Sequence, residues 1–181
     1  SDRDGYQKDY VSTKFEKRIS ADTRLGINFK YSALNADYDR GYSWDLTTDV
    51  HKFKTTNQSV SGYIRQLVNA DWVSNVSLTW SEYKYNDSLN GAAWPATGIT
   101  NSLTQGWQTA LAWNNTYQLQ SQTKAVFGVD LVNDTFSGSG SLSAYALTRH
   151  SQGYFAGLTH QIGQFTLQAN LRHDDFRLQQ D

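Results

Sequence analysis

From Arg24 to Ala33 the chain alternates without a break. Leu25, Ile27, Phe29, Tyr31 and Ala33 fall on one side; Arg24, Gly26, Asn28, Lys30 and Ser32 fall on the other. Successive side chains of an extended strand point to opposite faces, so this stretch reads as a strand with one greasy and one wet face. The pattern recurs along the chain. Val11, Thr13 and Phe15 oppose Tyr10, Ser12, Lys14 and Glu16. Val60, Gly62 and Ile64 form a shorter greasy series. Val76, Leu78 and Trp80 oppose Asn75, Ser77, Thr79 and Ser81. Trp107, Leu111, Trp113 and Tyr117 oppose Gln108, Ala110, Ala112 and Asn114. Ala125, Phe127, Val129 and Leu131 share a face, and the last strand sets Phe165, Leu167, Ala169 and Leu171 against Thr166, Gln168, Asn170 and Arg172.

The joints between these strands alternate in length. Short turns read at Ser20 to Thr23, Asn69 to Asp71, around Gln120 to Gln122, and at Ile162-Gly163. Their Ser, Asn, Asp and Gly residues favour local backbone turns. Long polar stretches read at Asp37 to Asp49, at Asn86 to Ser102 with the single Pro95, and at Asp134 to Thr148 with its Ser137 to Ser141 glycine-serine run. Two architectures share such a pattern. A soluble sandwich turns its greasy faces toward a second sheet. A membrane barrel turns them toward lipid, with short turns at one end and long loops at the other. No run approaches the roughly 20 apolar residues of a spanning helix. A mean hydropathy of −0.63 is compatible with strands that are apolar on one face only. Aromatics make up 14% of the chain and sit at the ends of the apolar faces. Trp107 and Tyr117 are ten positions apart. That separation spans ~33 Å of strand, or ~25 Å of height at a tilt of about 40°, which is the height of a lipid-facing band. The expected fold is therefore all-β: a transmembrane antiparallel β-barrel, an up-and-down meander of about eight strands, with residues 1–181 as a single segment. Residues 176–181 read as the start of a further loop.

Several function classes drop out. A net charge of −1 gives no electrostatic case for nucleic acid or for an anionic membrane surface. Without cysteine there is no disulfide framework and no thiolate chemistry. His51, His150, His160 and His173 have no metal-type spacing and read as polar strand-end residues. No catalytic spacing appears, and neither Asp174-Asp175 nor Glu82 makes an argued acid–base pair. The Ser137 to Ser141 run lacks the lysine of a phosphate loop. The chain is not expected to be an enzyme. Lys14, Arg24, Lys30, Lys124 and Arg172, mixed with Glu16 and Asp130, suit a hydrated interior.

An ordered series of short segments carries a resemblance to a known family. Asp2-Arg3-Asp4-Gly5-Tyr6, Tyr38-Asp39, and Asp49 ahead of His51-Lys52 open the series. Trp113-Asn114-Asn115, Gly128-Val129-Asp130, Gly153-Tyr154, Gly163-Gln164-Phe165 and Arg172-His173-Asp174-Asp175 continue it. In this order they resemble the barrel of the TonB-dependent receptors, in particular those that carry cobalamin (vitamin B12) across the bacterial outer membrane. The resemblance implies an excerpt of a 22-stranded barrel, with the plug domain, its energy-coupling TonB box and the remaining strands lying elsewhere. It also implies calcium between extracellular loops, held by Asp2, Asp4, Tyr38 through its carbonyl, Asp39 and Asp49. Clustered oxygen donors on loops suit Ca²⁺, and the spacing is not that of an EF-hand. The implied partners are cobalamin or a similar scarce nutrient, the lipid bilayer, and an inner-membrane energy-coupling protein. Three other readings stay open: the same fold carrying a siderophore, a self-contained eight-stranded barrel with a structural or adhesive role, and a soluble sandwich that binds carbohydrate.

Overall fold

The computed structural model describes residues 5–38, 50–90, 100–139 and 144–180. Eight strands fill them: β1 Tyr6–Arg18, β2 Thr23–Tyr38, β3 Val50–Asn69, β4 Trp72–Asn90, β5 Thr100–Gln120, β6 Thr123–Ser139, β7 Ala144–Ile162 and β8 Phe165–Gln180. Each pairs antiparallel with its neighbours in chain order, giving one up-and-down sheet. This is the expected fold class.

The register rows show why the sheet has two unlike faces. One outward row reads Phe15, Ile27, Gly62, Leu78, Leu111, Leu131, Gln152 and Asp175 from β1 to β8. It starts within the apolar run and ends on a carboxylate. A second outward row, nearer the short turns, is polar at Thr23, Gln66 and Ser74 but reaches Phe127, Ala156 and Leu171 on β6 to β8. The apolar stripe thus crosses the rows obliquely. Its centre drifts by roughly nine residues over seven strand-to-strand steps, or about 1.3 residues per step. With ~3.3 Å per residue and ~4.8 Å between strands, this drift corresponds to a slope of about 40°. A flat hydrocarbon slab cutting strands tilted by 35–45° leaves this signature.

None of the described residues covers that stripe. Of the hydrophobic side chains among the described residues, only Ala33 is buried, while Ile27, Leu78, Leu111, Leu131 and Leu167 are exposed on the outward face. Among the described residues there is one sheet and no second layer, so the sandwich is not what they build. The opposite face is concave. A trough of about 700 Å³ touches all eight strands, and Tyr10, Lys30, Ser59, Asp134, Arg149 and Leu178 are among the residues lining it. The polar rows therefore face the interior of curvature. The sheet is also open: among the described residues β1 pairs only with β2, and β8 only with β7. The β1–β8 seam that a self-contained barrel needs is not present among the described residues.

The turns are built as their residues suggest. The Ser20 hydroxyl accepts from the amides of Asp22 and Thr23 at 3.1 and 3.0 Å. The Asn69 side chain accepts from the Asp71 amide at 2.9 Å. Gly163 takes φ +59°, a conformation that costs a side-chain-bearing residue ~1–2 kcal/mol. The far ends differ from expectation. Asp37 and Tyr38, Asn86 to Asn90, Thr100 to Ser102, Asp134 to Ser139, Ala144 to Thr148, and Phe176 to Gln180 were expected in or near loops but belong to strands. Beyond the apolar stripe both faces are wet, so the alternation fades while the backbone ladder continues. Cross-strand rings help to hold it: Phe53 lies 5.8 Å from Tyr38 and 5.9 Å from Tyr85, and Phe136 lies 5.9 Å from Tyr145. The segment expected to be a long loop at Asp134 to Thr148 shrinks to the connector 140–143, which lies outside the described residues.

The two faces should respond oppositely to charge. Leu111→Arg places a cation in mid-stripe on the outward face and should cost ~2–4 kcal/mol in detergent or lipid. Ala112→Lys, on the concave face opposite Asp130, should stay within about 0.5 kcal/mol. Denaturant unfolding of the two variants in vesicles checks the assignment, and equal losses would refute it.

Candidate functional site

The concave face carries charge in three clusters, each placed by strand register. Nearest the short turns on β1 to β3, Glu16, Gly26 and Tyr63 stand in one row. Tyr63 lies across Gly26, and its hydroxyl donates to the Glu16 carboxylate. A Cβ on Gly26 would fall 2.2 Å from the Tyr63 ring, so only glycine leaves room for this crossing. Glu16 also takes Lys14 at 3.3 Å and Arg24 at 3.4 Å. The Lys14 ammonium sits 5.7 Å over the Tyr63 ring.

On β6 to β8 the same row holds Asp130, Gly153 and Asp174. Arg172, one row nearer the turns, spans the glycine gap. Its Nη1 reaches Asp130 at 2.9 Å and its Nη2 reaches Asp174 at 2.7 Å, with Nε also donating to Asp174. Toward the far end, Gln108, Asp134 and Arg149 share a row. Arg149 Nε donates to Asp134 at 2.8 Å, and Gln108 donates to the same carboxylate at 2.8 Å. All three clusters are at least partly open to solvent, so each pair contributes only modestly to stability. Their arrangement gives an interior lined by fixed, alternating charge.

The outward face has its own polar fixtures at the edges of the stripe. Glu82, only 9% exposed, stands in a row with Tyr31, Gln58 and Trp107. The Trp107 indole donates to it at 2.9 Å, Gln58 donates as well, and Lys84 lies 2.8 Å away. On the turn side, Trp72 donates to Asn115 at 3.0 Å and Trp113 donates to Ser74 at 2.9 Å. Tryptophans that keep an apolar ring outward and a satisfied N–H are suited to a membrane–water boundary. The sequence reading found these rings but not their partners. Glu82 is remote from any catalytic pairing and serves as a hydrogen-bond hub.

The implied calcium ligands are mostly out of view. Asp2, Asp4, Asp39 and Asp49 lie outside the described residues. Tyr38 ends β2 on the concave side, where its hydroxyl donates to Asp87 Oδ1 at 3.0 Å. Asp87 was not among the expected residues. Its place beside Tyr38 follows from the β2–β3–β4 register, which sequence alone does not fix. Among the described residues no three His, Asp or Glu side chains converge as a metal cluster.

No protein-family model matches the chain, and no curated protein matches it either. Among solved structures the chain is similar to the ferric-catecholate import receptor Fiu from E. coli K12 in its open form, with a TM-score of 0.74 and 13% sequence identity. The match covers 99% of this chain and 38% of that receptor, so the chain spans well under half of its structural neighbour. At this identity the likeness shows a shared fold: an antiparallel up-and-down sheet that matches part of a β-barrel.

The Tyr63 crossing is testable by a double-mutant cycle. Gly26→Ala displaces the ring and Tyr63→Phe removes the hydroxyl, so each should lower stability modestly by losing the same hydrogen bond. The double variant should cost no more than the larger single loss. Unfolding free energies in detergent give the answer, and simple additivity would refute the shared contact.

Proposed function

We propose that this chain is part of the barrel wall of a TonB-dependent outer-membrane receptor that imports a scarce nutrient. The carrying observation is the oblique apolar stripe on a sheet with two open edges. A bilayer does not tolerate unpaired backbone groups, so in lipid β1 and β8 must each pair with further strands. Eight strands with a water-lined concave face then form part of a barrel wide enough for a filled interior. The likeness to an import receptor of the same fold supports this reading.

For the ligand, the ordered sequence series supports cobalamin, with calcium stiffening the loops that receive it. Asp2, Asp4, Asp39, Asp49 and the Tyr38 carbonyl would hold the ion; hard oxygen donors on adjacent loops suit it. Fixing the loops in advance lowers the ordering cost of ligand binding. An inner-membrane energy-coupling protein would act through the plug. A second reading, a siderophore receptor, is favoured by the likeness to Fiu, itself a ferric-catecholate import receptor.

Calorimetry on the intact protein that carries this chain separates the two. Calcium should tighten cobalamin binding, and Asp39→Ala should weaken it in calcium by about tenfold or more, or ~1.4 kcal/mol. Binding of cobalamin without any calcium effect would remove the metal site. Binding of a ferric catecholate in place of cobalamin would establish the second reading. Retention of neither would leave the barrel without this function.

A further inference from the structure

One concave row puts like charges directly opposite each other. Arg18 on β1, Arg24 on β2 and Arg65 on β3 are register partners, and Asn75 on β4 and Asn114 on β5 continue the row. Like charges directly opposite on neighbouring strands are destabilising, so such a row needs a counter-anion. The described residues supply little. Arg18 is spent on its own turn, donating to the Ser20 and Ala21 carbonyls at 2.9 Å each. The nearby carboxylate, Glu16, is drawn toward β1 by Lys14 and held by the Tyr63 hydroxyl, leaving Arg24 a single contact at 3.4 Å. Arg65 has neither a hydrogen bond nor an ion pair among the described residues, and it is exposed. The row is therefore rich in donors and poor in acceptors: most of two guanidinium forks, flanked by two amides.

We propose that Arg24 and Arg65, with Asn75 and Asn114 beside them, form an oxyanion-binding site on the interior wall at the short-turn end. The ligand chemistry is a carboxylate or phosphate, because guanidinium forks match paired oxygens. The site is on the concave face, so lipid headgroups on the outward face do not reach it. Two sources share this chemistry: a dissolved anion, and a carboxylate of polypeptide packed inside the barrel. The inference rests on which face is interior and is independent of the nutrient carried.

The test uses the intact protein in detergent, with each variant first checked for the heat-resistant gel mobility of a folded barrel. Citrate, against chloride of matched ionic strength, should raise the unfolding temperature saturably by a few degrees. Arg65→Gln and Arg24→Gln should abolish the rise, and Lys30→Gln, elsewhere on the concave face, should keep it; this outcome establishes a dissolved-anion site. If citrate has no effect on the parent protein, Arg65→Lys treated with a zero-length carbodiimide should form an isopeptide link to an aspartate or glutamate other than Glu16, located by mass spectrometry. That outcome establishes a polypeptide carboxylate, and Arg24→Lys repeats the test should the first variant not fold. An unchanged citrate effect in the glutamine variants, or neither effect, overturns the proposal.

Discussion

Hydrocarbon offers a backbone no hydrogen bonds, and this one fact shapes the rest of the structure. Each unsatisfied amide or carbonyl there costs several kcal/mol. Strands are therefore paired along their whole length, from Tyr6↔Ala36 in β1–β2 to Ile162↔Phe165 in β7–β8. Where the bilayer ends, the pairing does not: Asp37↔Lys52 and Ser88↔Asn101 continue the ladder among polar side chains. The same fact makes the outer edges of β1 and β8 the least stable feature of the sheet taken alone. Every described residue of β1 is exposed, and every β8 residue whose exposure is described is exposed too.

The two faces then divide the chemistry. The outward face keeps its polar groups at the margins and satisfies them inside the sheet, as Trp107 with Glu82 and Trp72 with Asn115 do. The concave face has water for a partner and tolerates what the outward face cannot. A guanidinium stretched over Gly153 between two aspartates stands there, paired by its neighbours and with water to solvate what they leave open. Glycine recurs where a long side chain crosses a neighbouring strand. Gly26 beneath Tyr63 and Gly153 beneath Arg172 each remove the Cβ that would block the path.

This division decided what the sequence could reveal. Wherever the chain faces lipid on one side and water on the other, the period of two is strict, and Leu25 to Ala33 or Phe165 to Leu171 are read off correctly. Past the lipid the contrast vanishes, so Asp134 to Ser139 and Phe176 to Gln180 read as loop although their backbones are fully paired. Charged interior residues were recognisable as a class. Their partnerships were not, because Asp130 meets Arg172 across 42 positions and Tyr38 meets Asp87 across 49. Those contacts follow from registers that accumulate strand by strand. The calcium residues came from resemblance alone, and four of the five lie outside the described residues.

The same logic explains how a TM-score of 0.74 can coexist with 13% identity and no matching family model. A barrel wall asks of each outward position only that it be apolar and of each inward position only that it be hydrated. Leu, Ile, Val and Phe exchange freely under the first demand, and Ser, Thr, Asn and Gln under the second. Identity is constrained only where geometry is: a turn glycine such as Gly163, a crossing glycine such as Gly26, or a charge set against a fixed partner. Fold can therefore persist long after sequence similarity has faded, while ligand preference is free to change with the connectors between strands. In a wall of this kind the informative residues are the interior charges that the sheet leaves unneutralised, because hydration alone gives no reason to set Arg24 opposite Arg65.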